Sequence, residues 1–418
     1  MTMSLERAGL TVVDPTAYAE EDRLHEACAL LRRESPVHWV DGRPGHNPFW
    51  VITRRADILR IEKNHQVFTN HPRPVLVPAE EDARQAEQGQ LLRTLIHMDD
   101  PDHKALRPIA ADWFRPKTLR TMQGNVDRLA RRYVDLMAER GGACDFVADV
   151  AVHYPLSVIL TLLGLPESDF PRMLQLTQEI FGGDDPERRR GETPEEQMAV
   201  LLDFFAYFQR LIADRREHPT EDLASAIANA RIDGEHLSDV DATSYFVIIA
   251  TAGHDTTSST IAGGMHALLR HPDQLALLRA DPSLLPGAVE EMIRWTTPVK
   301  EFMRTAAEDH EIGGVTVRRG QQVLLMYPSG NRDEAEFDRP FEFDVTRRPN
   351  RHVAFGAGVH FCLGAQLARM ETQAIFAELL PRLEHVEQAG PVEGVASTFV
   401  SGLKQLPIRY RLAAPTTA

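Results

Sequence analysis

The sequence predicts a mainly α-helical protein that carries small β-sheets. Apolar residues keep helical spacing almost unbroken from Pro101 to about Ile227, and a second helical stretch of unusual length runs from Leu237 to Arg270. Strand-like patterns are confined to short runs near residues 36–70, 300–330 and 385–412, bounded by turn residues. No internal repeat, low-complexity tract or linker interrupts the chain, so a single domain over 1–418 is expected.

Taken in order, Ala19 to Glu34 has the apolar spacing of a helix, and "PVHWVDGRPGHNPFWVIT" reads as two short strands around a Gly/Pro/Asn turn. Residues 75–98, "VLVPAEEDARQAEQGQLLRTLIHM", show no clear period and read as a long connection that covers a site. The helical half is broken at "GGACDF", "LGLPESDF" and "GGDDPERRRGETPEE". Its long final helix has a polar, small-residue patch, "TAGHDTTSST", in an otherwise apolar stretch. After Pro282 come a helix ("LLPGAVEEMIRW"), short strands around "EIGGVTVRRGQQVLLMY", an irregular segment from Asn331 to Asn350, and a last helix from Leu363 to Leu383.

Composition narrows the function classes. Apolar residues are 43% and charged residues 26%, the balance of an ordinary globular protein. A formal net charge of −15 argues against nucleic acid or anionic membrane as a partner. Cys28, Cys144 and Cys362 are odd in number and widely spaced, which points to free thiols in a reducing cytoplasm. No apolar run nears the ~20 residues that span a bilayer, so no membrane anchor is expected.

One thiol has an unusual frame, "FGAGVHFCLG", residues 355–364. Gly356 and Gly358 permit positive φ in a tight turn, and Gly364 leaves room for a flat body to approach the backbone. Phe355 and Phe361 are placed to wall the sulfur from water, and His360 adds a donor. Cys362 stands at a helix start, where the dipole and free N–H groups favour a thiolate. A cysteine nucleophile needs an adjacent base and an oxyanion site, whereas a shielded thiolate suits a soft metal. A buried structural cysteine is the plainer alternative.

These residues resemble the cysteine loop of the cytochrome P-450 superfamily, Phe-Gly-x-Gly-x-His-x-Cys-x-Gly, at every fixed position. The resemblance implies the fold of that superfamily, with a helical domain, a small β-rich region and a long central helix over haem. It makes Cys362 the proximal thiolate ligand of a haem b iron. It also points His103 and Arg107, in "DDPDHKALRPIAADWFRP", together with Arg304 and His360, at the haem propionates, with Phe355 and Gly364 framing the cofactor. "AGHDTT", residues 252–257, matches the signature over the distal face, so Asp255 and Thr256 become an acid and alcohol pair that delivers protons for O–O cleavage. The spacing lets Thr256 bond back to the Ala252 carbonyl, and Gly253 loosens the helix toward a kink. His254 is not expected to be a ligand. Glu291 and Arg294, joined by Arg347, are implied as a structural network bracing the segment before the cysteine.

The implied activity is that of a monooxygenase using O2 and electrons from NAD(P)H. No reductase domain follows the cysteine helix, so separate FAD and iron-sulfur proteins, a ferredoxin reductase and a two-iron ferredoxin, are the implied partners of a monomer. Lys104, Arg107, Arg115, Lys117 and Arg120 form a candidate ferredoxin patch. The motifs look most like the bacterial branch that includes terpineol hydroxylase, which suggests a monoterpenoid or alkyl-aromatic substrate. Steroids, fatty acids or branched lipids are the alternative, and a haem protein that binds ligand without turnover is disfavoured by Asp255 and Thr256. Candidate pocket walls are Ile249, Ala252, Val299, Phe302, Phe399 and Val400, while Lys300 and Glu301 are expected at the surface.

Overall fold

A computed structural model describes residues 3–41, 45–90, 92–181 and 193–413. The long helix spans Asp239–Arg270. Ser238 starts it by accepting from the Asp241 N–H, and Asp239 and Asp241 sit at its positive end, where carboxylates are favoured. It is buried on most of its surface because helices His153–Leu162, Phe170–Phe181, Pro194–Glu217, Leu285–Thr296 and Ala365–Arg382 pack around it. This explains why its sequence is apolar on nearly every face and polar only in one patch. Residues 182–192 of the predicted break lie outside the described residues.

The β region is a five-stranded sheet in the order Val37–Val40, Phe49–Ile52, Gln322–Met326, Glu301–Ala306, Phe68–Thr69. Gln322–Met326 runs parallel to Phe49–Ile52 and antiparallel to Glu301–Ala306. Every residue of that central strand is buried, matching the apolar run from Val323 to Met326. A second sheet joins Leu383–Gln388, Pro407–Leu412 and Ala143–Asp145, so the helix break "GGACDF" supplies an edge strand.

Residues 75–98 are more ordered than their pattern implies. They contain the helix Ala79–Gln88 and a turn at Leu95–His97. Glu80, Glu81 and Asp82 in the first turn and Gly89 (φ 79°) at the end are ordinary helix boundaries. Arg73 and Asn47 hold Asp82 from outside.

The implied brace is present. Both Glu291 oxygens accept from Arg294 at 2.7 Å, and Arg347 Nε adds contacts at 3.1 and 3.2 Å. Asn350 and the Asp344 N–H complete the carboxylate's shell, and Arg294 bonds the carbonyls of Asn331 and Pro340. The three cysteines are free thiols. Among the described residues, no helix is long and apolar enough to cross a membrane.

Candidate active site

The cysteine loop turns as its glycines predict. Gly356 and Gly358 have φ of 66° and 68°. A Cβ on Gly358 would lie 2.3 Å from the Glu62 carbonyl oxygen, so glycine is required by space as well as by φ. The Cys362 N–H donates to the Phe355 carbonyl at 2.9 Å and closes the loop, and helix Ala365–Arg382 starts directly after Gly364. The dipole argument does not prevail here. Although Cys362 is exposed to the open cavity, desolvation by the surrounding protein pushes its thiol up, outweighing the N–H groups of Gly364 and Ala365 and the charge of Arg107 and Arg369. A soft cation at the sulfur reverses that balance, because a coordinating thiol is deprotonated outright. Phe361 is 41% exposed, so the aromatic cover falls mainly to Phe355, over which the Arg369 guanidinium stacks at 4.5 Å.

Cys362 opens on an internal cavity with about 1420 Å³ of space free of protein atoms, its mouth included. Phe355 and Gly364 belong to the cysteine side of its wall, Ile249, Ala252 and Thr256 to the long helix, and Val299, Phe302 and Arg304 to the β side; His103, Arg107 and His360 line it as well. Three predicted residues stand back from the lining. Phe399 meets Phe302 edge-on at 5.4 Å, and Val400 is bridged to Val299, so both support the wall from behind. Asp255 is 8% exposed and lies beside the buried His254 ring, Oδ1 to Nδ1 3.5 Å. Lys300 and Glu301, expected at the surface, are 3% and 0% exposed and outside the cavity. Lys300 Nζ donates to the Thr296 carbonyl, and Glu301 accepts from the Leu76 N–H, pinning the start of the 75–98 segment.

Thr256 Oγ1 donates to the Ala252 carbonyl at 2.8 Å. The backbone stays helical through this point, and the small residues Ala252 and Gly253 belong to the cavity wall. Gly253 lets Ile159 of helix His153–Leu162 approach, since a Cβ there would meet Ile159 Cδ1 at 2.3 Å. His254 Nε2 donates to the Val152 carbonyl and Nδ1 faces Thr177, so this residue ties three helical segments together.

The chemistry of the lining suits a haem. The His103 and His360 rings lie 4.1 Å apart, and Nε2 of each is buried with no hydrogen-bond partner among the described residues. Burial holds both neutral at pH 7, His360 down to about 2, so each offers a donor without a charge. Arg304 and Arg107 add guanidinium donors; Arg107 also bonds the Phe361 carbonyl at 2.5 Å. Four donors facing a cavity with apolar walls match a macrocycle with two carboxylates, and a Cβ at Gly364 would meet nothing within 4 Å.

Among the lining residues not singled out from the sequence are Glu62, Tyr327 and Glu371. Glu62 accepts from the Tyr327 hydroxyl at 2.5 Å, and both are buried. Glu371 is buried with neither carboxylate oxygen bonded among the described residues, and burial pushes it well above the usual carboxylate range.

A helical scaffold that sets a glycine-framed thiol and a hydroxyl-bearing helix around a donor-lined apolar cavity is that of a haem-thiolate oxygenase. The chain belongs to the cytochrome P-450 family: the family model described as Cytochrome P450 matches residues 18–411. Cytochrome P450-terp of a Pseudomonas species is 41% identical over 98% of both chains. A steroid C26-monooxygenase of Rhodococcus jostii is 33% identical over 97% of this chain and 85% of its own length. Among solved structures, CYP108D1 of Novosphingobium aromaticivorans is 42% identical with a TM-score of 0.90, covering 99% of this chain and 100% of its own. CYP268A2 of Mycobacterium marinum, solved with pseudoionone, is 37% identical with a TM-score of 0.86, covering 94% of this chain and 96% of its own. The protein is a monooxygenase of the haem-iron class, which uses O2 and electrons from redox partners.

Proposed function

We propose that this monooxygenase hydroxylates a small hydrophobic substrate, a monoterpenoid or alkyl-aromatic, in the cavity between Cys362 and Thr256. The observation that carries the reading is the wall itself. Ile248, Ile249 and Ala252 precede Thr256 on the long helix, facing the same space as Leu95, Ile96, Val299 and Phe302. Such a surface selects apolar molecules by burial and offers few polar anchors. The similarity to Cytochrome P450-terp and to the enzyme solved with pseudoionone supports terpenoid-sized ligands.

Cys362 is the proposed iron ligand, with His103, Arg107, Arg304 and His360 holding the propionates and Phe355 and Gly364 framing the ring. Bound haem supplies O2 activation for insertion into a C–H bond. Thr256 holds its hydroxyl proton on the Ala252 carbonyl and is placed to release it into the cavity, while Asp255, one residue earlier on the buried side, replenishes it. Ile249, Ala252, Val299 and Phe302 contact substrate and exclude water, with Phe399 and Val400 setting the positions of the last two. The chain acts as one catalytic domain over 1–418, a cytoplasmic monomer reduced by NAD(P)H through an FAD-containing reductase and a two-iron ferredoxin. Lys104, Arg115, Lys117 and Arg120 are exposed, and Arg107 links their region to the carbonyl beside Cys362, which favours docking of an acidic ferredoxin there.

A spectral binding screen across monoterpenoids, alkylbenzenes, fatty acids and steroids tests the substrate class. Micromolar binding and hydroxylation of monoterpenoids or alkylbenzenes are expected; turnover confined to steroids or long-chain lipids overturns the reading.

A further inference from the structure

At the propionate end of the cavity lies a carboxyl group that the oxygenase reading leaves unused. Glu62 lies in the last turn of the helix Arg55–Lys63, is 4% exposed, and lines the cavity alongside Arg304, Tyr327, Gly356 and His360. Its Oε1 accepts from the Tyr327 hydroxyl and lies 3.9 Å from Arg304 Nη2. Its Oε2 is buried and has no hydrogen-bond partner among the described residues.

The charges around it do not balance once a dicarboxylate arrives. Arg304 comes from the strand Glu301–Ala306, Tyr327 from the turn after Gln322–Met326, and His360 and the Ala357 N–H from the cysteine loop. Arg60 and Lys63, on the helix of Glu62 itself, are exposed and screened by solvent. The permanently charged cations that line the cavity at this end are Arg304 and Arg107. Two guanidinium groups face three carboxyl groups in a buried volume. Like charges this close cannot all ionise, and the group left with a bare oxygen keeps a proton.

We propose that Glu62 is a further haem-binding residue, a neutral carboxylic acid at pH 7 that donates from Oε2 to a propionate, so that the pair shares one proton. This rests on the haem reading above. Burial already raises Glu62 to about 7 against the pull of Arg304, the Tyr327 hydroxyl and the Ala357 N–H, and a neighbouring carboxylate raises it further. Arg304 is thereby left to the propionate. With haem bound, one-electron reduction would add one negative charge to the cavity, and the carboxyl pair of Glu62 and the propionate would take up to one proton from solvent, forming one O–H bond per electron.

The test is potentiometry of the substrate-free holoprotein from neutral into alkaline pH, where a carboxyl raised above about 7 titrates. The native midpoint potential is expected to fall as pH rises, and Glu62→Gln, a permanently neutral donor of similar shape, to flatten that slope. A pH-independent native potential, or an equal slope in Glu62→Gln, overturns the proposal. Where Glu62→Gln takes up no haem, Tyr327→Phe carries the test. Loss of the hydroxyl that stabilises the charged form moves the inflection to higher pH, and an unmoved inflection overturns the proposal. Native protein lacking the carbon monoxide spectrum of a thiolate-ligated haem removes the haem reading itself, whereas a normal spectrum with a flat potential removes only the role of Glu62.

Discussion

Thr256, the proposed proton donor, is held by local chemistry within its own helix. Its hydroxyl is held by the Ala252 carbonyl, a bond it can exchange for one in the cavity at little net cost. Thr256→Ala should retain haem and substrate binding while product per NAD(P)H falls on the order of 10²-fold and peroxide rises in its place. Unchanged coupling in that variant would remove the proton-delivery role. At this scale the sequence was informative wherever a residue type has a fixed spacing, as in Gly356-x-Gly358-x-His360-x-Cys362. It was silent on Glu62 and Glu371, because a glutamate within a helix looks the same whether it faces water or a cavity. Lys300 and Glu301 were misplaced for the same reason: charge suggests exposure, and only the packing of a central sheet shows otherwise.

The elements around the cysteine loop hold it by two carboxylates on one helix, Leu285–Thr296: Glu291, which is buried, and Glu290, which is half-buried. Glu291 is enclosed by Arg294, Arg347 and Asn350, and removing one member of such a network costs about 3–5 kcal/mol. Glu291→Ala should therefore lose that much stability in chemical denaturation and purify largely without haem. Glu290 accepts from Arg369 at 2.6 and 2.9 Å and faces His352 at 3.1 Å; burial alone would raise it, but these partners outweigh burial and hold it at about 2, against 4.5 when unfolded. Because the folded value is depressed, the stabilisation is complete above about pH 4.5 and is lost as pH falls toward 2. Glu290→Gln should remove a contribution on the order of 2–3 kcal/mol at pH 7 and flatten the acid limb of stability below pH 4.5. Gly358→Ala, with a Cβ aimed at the Glu62 backbone, should cost about 1–3 kcal/mol and weaken haem retention. Most of these elements were legible from periodicity and turn residues. Helix Ala79–Gln88 was not, because it has no apolar stripe and is fixed instead by its acidic first turn, its terminal glycine and two outside contacts to Asp82.

Across the whole molecule, a long buried helix and a five-stranded sheet position two chemistries on opposite sides of one cavity, although their residues lie about a hundred positions apart in the chain. The fold class followed from helix length and confined strand signals, but the depth of the pocket did not, since whether Phe399 touches substrate or Phe302 depends on how two distant segments pack. Lys104, Arg115, Lys117 and Arg120, the proposed ferredoxin patch of an acidic protein, are exposed, with Arg115 paired to Asp112 at 2.9 Å. Charge reversal at Arg115 and Lys117 should slow ferredoxin-driven reduction about 10-fold at low salt and lose that effect at high salt; a salt-independent or negligible change would place docking elsewhere. The central claim is that Cys362 ligates haem iron opposite Thr256. It is tested most directly by the absorption spectrum of the reduced protein with carbon monoxide: native protein should show the red-shifted Soret band of thiolate ligation and Cys362→His should lose it, whereas a histidine-type band in the native protein would contradict the account.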